Sequence, residues 1–175
     1  LRHKPTTSRA ASANCSPGSS CRAAAGFSLY TPFENNLITA HFNAPRDYPF
    51  APNRLQLHEG EDSVDGAALR DKTLTPYIYC GRRGIVVDVA YDARGYGDFC
   101  IVDFGDGWRA WYCHMKQIDV NVGQIVMAKQ VLGIMGATGN ATGPHCHLTL
   151  QHIGYGLHNY VVPDVVDPAD YLVAW

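Results

Sequence analysis

The chain has 175 residues, 46% of them hydrophobic and only 17% charged, with a formal net charge of -2. That is enough apolar material for a sizeable core in one or at most two domains, and it argues against a nucleic-acid binder working through a basic face. No apolar run approaches the roughly 20 residues needed to span a bilayer.

The first residue is Leu1, which marks the sequence as a processed product or an excised piece of something longer. Residues 1–25 are rich in Ser, Ala, Thr and Arg and have no apolar periodicity, so they read as a linker or weakly ordered tail, with the domain expected over 26–175. They have no apolar h-region and do not form a signal peptide as written. Cys15 and Cys21 could close a small loop there, which implies an oxidising compartment. Cys80, Cys100, Cys113 and Cys146 lie in apolar runs and read as buried free thiols. The absence of a CxxC pair argues against a structural cysteine–zinc site.

From residue 35 onward the pattern predicts short strands and tight turns. Ala67 to Leu74 could carry one short helix or loop. Gly84 to Ala90 and Asp98 to Phe104 read as strands, and after Gly105-Asp106-Gly107 the chain returns from Trp108 to Met115 as a hairpin. Val120 to Val126, Val131 to Met135 and Pro144 to Gln151 are further candidate strands. No segment holds a 3.6 period over three turns. The fold class expected is all-β, an antiparallel sandwich or open barrel with short helical or loop insertions.

Four of the eight histidines fall in three short constellations: His58-Glu59-Gly60-Glu61-Asp62, Tyr112-Cys113-His114, and Gly143-Pro144-His145-Cys146-His147. Residues two apart on a strand share a face. His145, His147, Thr149 and Gln151 then form a polar face, with Cys146, Leu148 and Leu150 in the core. The same alternation groups Tyr112 with His114, opposite Trp111, Cys113 and Met115. Zinc accepts histidine nitrogens and carboxylate oxygens, and a catalytic zinc keeps three protein ligands and a water. His58 and Asp62 with one imidazole of the His-x-His strand would supply that set and leave two histidines for acid–base work. His58-Glu59 also resembles the start of a His-Glu-x-x-His helix, but the fifth residue is Asp62 and Gly60 disfavours helix. The segment therefore reads as a strand-to-loop corner, with Glu59 and Glu61 as exposed loop carboxylates.

In order and spacing these motifs resemble the lysostaphin-type, or LytM-like, zinc metallopeptidases. Their signature is His-x-Gly-x-Asp, then Tyr-x-His, then Gly-x-His-x-His. The intervening segments are similar too, among them Gly95-Tyr96-Gly97, Val122 to Val126, Gln130 to Gly136 and Val166-Asp167-Pro168. Ser63 to Pro76 is longer than usual, and Cys146 takes a position usually held by Leu. The resemblance covers roughly residues 36–175. It implies Zn2+ held by His58, Asp62 and His147, with His114 and His145 as the catalytic pair. It does not say which of these two is the base. It further implies hydrolysis of peptide bonds in peptidoglycan stem peptides or cross-bridges, outside the cell or in its envelope, by a secreted enzyme or phage lysin. A monomer is the expectation for oligomeric state. A non-catalytic wall-binding or regulatory module, and a biotinyl- or lipoyl-type carrier, are the rival readings. The carrier lacks a lysine at a tight hairpin tip.

Overall fold

Alternating apolar and polar residues build most of the molecule as strands, and a two-residue turn joins the central hairpin. The structure, a computed structural model, describes residues 26–46, 56–158 and 160–175. The tail expected over 1–25, with the Cys15–Cys21 loop, lies outside the described residues. In chain order the elements are β1 (Leu29–Tyr30), β2 (Asn36–Ala40), β3 (Pro45–Arg46), β4 (Gln56–Leu57), β5 (Glu61–Asp65), α1 (Gly66–Arg70), β6 (Tyr77–Tyr79) and β7 (Gly84–Asp92). There follow β8 (Gly97–Gly105), β9 (Trp108–Ile118), β10 (Ile125–Val126), β11 (Val131–Met135), β12 (Cys146–His152), β13 (Val165–Val166) and β14 (Leu172–Val173).

One ten-stranded sheet runs β10-β7-β8-β9-β12-β5-β2, with β11 joining β9 to β6 and β13 on β12. Its pairs are antiparallel, and the sheet stays open rather than closing into a barrel. The β8–β9 hairpin turns on Asp106 and Gly107, whose φ values of 51° and 82° match the positive-φ pair that a two-residue type I′ loop requires.

Alternation along β8, β12 and β9 as far as Cys113 divides the side chains between two faces. Cys100, Val102, Ala110, Tyr112, Cys146, Leu148 and Leu150 enter the main core with Val86, Leu132 and Phe33. Each fully buried large apolar side chain there is worth ~1.5–3 kcal/mol. Phe99, Ile101 and Cys113 lie on the opposite face with Trp111 and Tyr96. His147, Thr149 and Gln151 share that second face, as their spacing predicts, and all three are buried. The four predicted thiols are free and buried. Burial pushes Cys80 up to about 11 and Cys100 up to about 12, so both are inert as nucleophiles at neutral pH.

Three readings need correction. Tyr112 does not share a face with His114: it is fully buried in the main core, where its hydroxyl accepts the Gly81 N–H at 2.9 Å. The pairing of β8 with β9 slips a register between Asp98/Cys100 and Met115/Tyr112, and His114 sits in this bulge with φ 60°. The extra residue resets the alternation, so Met115 returns to the core that Tyr112 occupies. The strand predicted at Val120 to Val126 shrinks to two residues, because turn backbone with Gly123 at φ 86° precedes it. Finally, Glu61 opens a central strand and is 2% exposed, not a loop carboxylate in water.

Candidate metal centre

Asp62 on β5 and His147 on β12 are register partners. Directly opposed residues on adjacent strands project from the same face. Sheet pairing alone therefore brings together a carboxylate and an imidazole 85 positions apart in the chain. His58 reaches the same point from the end of β4, through Glu59 and Gly60. Its backbone is clamped on both sides: Asn43 N–H donates to His58 O at 2.8 Å, and His58 N–H donates to Ala44 O at 2.9 Å. Glycine is required at position 60. A Cβ there would lie 2.5 Å from the Leu148 carbonyl oxygen and 2.8 Å from His147 Cε1. The glycine of the His-x-Gly-x-Asp motif is thus the space that the opposite imidazole fills.

The three side chains meet closely. His58 Nε2 is 3.0 Å from Asp62 Oδ1, His147 Nδ1 is 2.9 Å from the same oxygen, and the two ring nitrogens are 2.8 Å apart. The outer nitrogens are already committed. His58 Nδ1 donates to the His41 carbonyl at 2.8 Å, and His147 Nε2 is hydrogen-bonded to Thr149 Oγ1, a hydroxyl able to accept or donate, at 2.9 Å. The first bond turns the Nε2 of His58 inward as the ligand atom, and the Thr149 hydroxyl can take the proton of His147 Nε2 whenever Nδ1 serves as a ligand. Burial opposes ionisation of Asp62, but its polar contacts with His147 and His58 outweigh this and hold its carboxyl well below the usual range. Burial pushes the His147 imidazole down, toward its neutral form. Two imidazole nitrogens and a carboxylate oxygen converging in a buried site form the ligand set zinc prefers. The donor atoms of a tetrahedral zinc with bonds of ~2.0–2.1 Å lie roughly 3.3 Å apart, so the residues present fit such an ion with little adjustment.

His114 and His145 flank this cluster. His145 Nε2 is 3.7 Å from Asp62 Oδ1, and the His114 ring centre is 4.6 Å from that of His145 and 5.9 Å from that of His147. Each is tethered by Nδ1 to a backbone carbonyl, His114 to Thr138 and His145 to Gly143, both at 2.8 Å. A carbonyl only accepts, so Nδ1 carries the hydrogen and Nε2 keeps its lone pair. Burial, against the opposing Thr138 hydrogen bond, lowers the His114 pKa to about 4, so this imidazole is neutral near pH 7.

All five histidine and aspartate positions singled out in the sequence therefore converge. Glu59 does something else: its carboxylate accepts from the Tyr96 hydroxyl and from Val162 N–H at 3.1 Å, binding the C-terminal loop to the corner of the site. Burial raises its pKa in spite of these bonds. Sequence reasoning missed Arg46, whose Nη2 donates to Asp62 Oδ2. It also missed the carbonyls of His41 and Thr138, which carry no side-chain signature. Thr149 could have been found, since it lies two residues beyond His147 on the same face.

The model of peptidase family M23 matches residues 62–160, more than half of the chain. The chain belongs to peptidase family M23. The matched segment holds Asp62, His114, His145 and His147, and begins just after His58. The chain is 32% identical over 123 residues to an uncharacterized metalloprotease of Haemophilus influenzae, covering 70% of this chain and 24% of that one. It is 27% identical over 130 residues to the peptidoglycan DD-endopeptidase ShyC of Vibrio cholerae, covering 74% and 28%. Among solved structures, a zinc-containing peptidase from Vibrio cholerae superposes with a TM-score of 0.59 at 27% identity, over 71% of this chain and 36% of that one. The chain thus spans about a quarter of the length of the curated relatives it matches.

Proposed function

We propose that the chain is a zinc-dependent endopeptidase that hydrolyses peptide bonds in the stem peptides or cross-bridges of peptidoglycan, acting outside the cell or in its envelope. The observation that carries this reading is the convergence of His58 Nε2, Asp62 Oδ1 and His147 Nδ1 within 3.0 Å, with both imidazoles anchored from behind through their outer nitrogens. The family and the activity named for ShyC support the substrate class. Among the described residues no helix is long and apolar enough to cross a membrane.

His58, Asp62 and His147 would hold the ion. Bound zinc supplies a water of lowered pKa and polarises the scissile carbonyl. His114 and His145 offer Nε2 lone pairs beside that point, and their Nδ1 tethers keep the rings aimed there. In its neutral form such a ring accepts a proton from the attacking water, and once protonated it donates to the oxyanion or the leaving amine. The domain of residues 26–175 carries all five side chains. Deleting residues 1–25 is expected to leave zinc content and hydrolysis nearly unchanged.

Metal analysis of the purified protein, followed by mass spectrometry of muropeptides released from several defined cell walls, tests the reading. One equivalent of zinc and products from a cut peptide bond are expected. A metal-free protein that binds walls and releases nothing would overturn it in favour of a non-catalytic module.

A further inference from the structure

Arg46 takes one oxygen of the Asp62 carboxylate while the other faces the two ligand imidazoles. Its Nη2 donates to Oδ2, and Oδ1 lies 2.9 Å from His147 Nδ1 and 3.0 Å from His58 Nε2. The two oxygens of one carboxylate are thus divided between a guanidinium and the metal position. The fold builds this contact. β3 and β4 pair Pro45 with Leu57 and Arg46 with Gln56, and the same ladder continues through the backbone bonds of Asn43 and Ala44 to His58. Arg46 therefore arrives on the clamp that fixes His58. Its side chain is about two-thirds buried, and Arg46 Nε has no hydrogen-bond partner among the described residues.

We propose that Arg46 is a positioning residue that keeps Asp62 a one-oxygen ligand and so keeps a coordination position open beside the water. A carboxylate free of its partner can turn to offer both oxygens to a divalent ion. A second bond from Asp62 would make the ion five-coordinate alongside its water and fill the position into which a catalytic zinc expands on the way to the transition state. The guanidinium carries a fixed positive charge and repels a bound cation, so its role is not to tighten metal binding. The residue instead sets the number of ligands. The inference rests on the metal reading above and deepens it.

Cobalt(II) replaces zinc and reports coordination number by the strength of its visible absorption, which falls as a fifth ligand is added. Arg46→Met is expected to bind cobalt and zinc at one equivalent and no more weakly than the unaltered protein in chelator competition. Its visible absorptivity should drop several-fold, and its release of muropeptides should fall on the order of 10–100-fold, the usual cost of losing a partner of a metal ligand. Arg46→Lys, which keeps a charged donor, is expected to recover most of the absorptivity. Should Arg46→Met fail to fold by circular dichroism, Arg46→Gln is read in the same way. An unchanged cobalt spectrum in the folded variant overturns the proposal, and so does zinc that is held more weakly, since that outcome assigns Arg46 to holding the site together. If the unaltered protein takes up no metal while Asp62→Ala behaves identically, the metal reading fails and this one fails with it.

Discussion

At the scale of single residues, the site is a set of side chains whose outer atoms are spoken for. His147 is anchored through its outer nitrogen on the Thr149 hydroxyl, and His145 is held off the ligand cluster by its tether to Gly143. Their substitutions should therefore separate. His147→Ala is expected to lose metal, while His145→Ala keeps one equivalent and loses turnover by ~100-fold or more, within the range general acid–base groups contribute. Metal content and muropeptide release on the two proteins check this, and the reverse pattern would exchange their roles. Gly60 gives a second prediction. The methyl of Gly60→Ala would fall 2.5 Å from Leu148 O and 2.9 Å from His147 Nε2, contacts that real Cβ atoms do not make. Either β5 moves away from β12 or the imidazole turns. A loss of ~1–3 kcal/mol in urea unfolding, the cost of overpacking a tight contact, and weaker zinc binding are expected together. At this scale the sequence was legible where motif spacing encodes chemistry, as in His58, Asp62 and the His-x-His pair. It was silent on Arg46, whose nearness to Asp62 exists only once β3 and β4 have closed beside the motif.

At the scale of elements, β9 shows why alternation alone misplaces a side chain. A period-two reading of Trp111 to Met115 sends Tyr112 and His114 to one face, and it would hold if the strand were regular. The bulge at His114 inserts one residue, so Tyr112 and Met115 both enter the core and His114 is free to face Asp62 and His145. No composition signal marks this, because the cause is the pairing with Tyr96, whose carbonyl accepts the His114 N–H at 2.8 Å. By contrast β12 is regular, and both of its faces followed from the order of Cys146 to Gln151. The strand β5 went unread for another reason: Glu61, Asp62 and Ser63 look like a solvated loop, yet pairing with β2 and β12 buries all three. The position of Tyr112 gives a prediction of its own. Tyr112→Phe removes the acceptor of the buried Gly81 N–H and should cost ~1–3 kcal/mol in urea unfolding. Zinc stoichiometry should stay at that of the unaltered protein, since the hydroxyl bonds on the core side. A loss of metal with no loss of stability would show that the hydroxyl serves the site after all.

At the scale of the whole molecule, burying the cluster makes the metal-free protein sensitive to acid. His114 has an ordinary pKa of 6.5 that folding lowers to about 4, because burial penalises the imidazolium. Between these values the unfolded chain binds a proton that the folded protein refuses. Stability is therefore complete above about pH 6.5 and falls as the pH drops toward 4, by up to ~1.4 kcal/mol per unit and ~3 kcal/mol in all. His147 is depressed by burial and acts in the same direction. Asp62, with its carboxyl held low, keeps its contribution across this window and loses it only at stronger acidity. Glu59 and Glu61 act with the opposite sign, since burial raises both and their folded forms take up protons first. The net slope therefore mixes groups, and the informative quantity is the difference made by one of them. His114→Asn suits that purpose, because asparagine tolerates the positive φ of 60° at this position and does not titrate. Urea unfolding of the metal-free proteins at pH 7, 6, 5 and 4.5 should show the unaltered chain losing stability more steeply than the variant below pH 6.5, with parallel behaviour above it. Equal slopes across the window would mean that His114 is charged in the folded protein, and its assignment as a neutral acceptor beside Asp62 would fall.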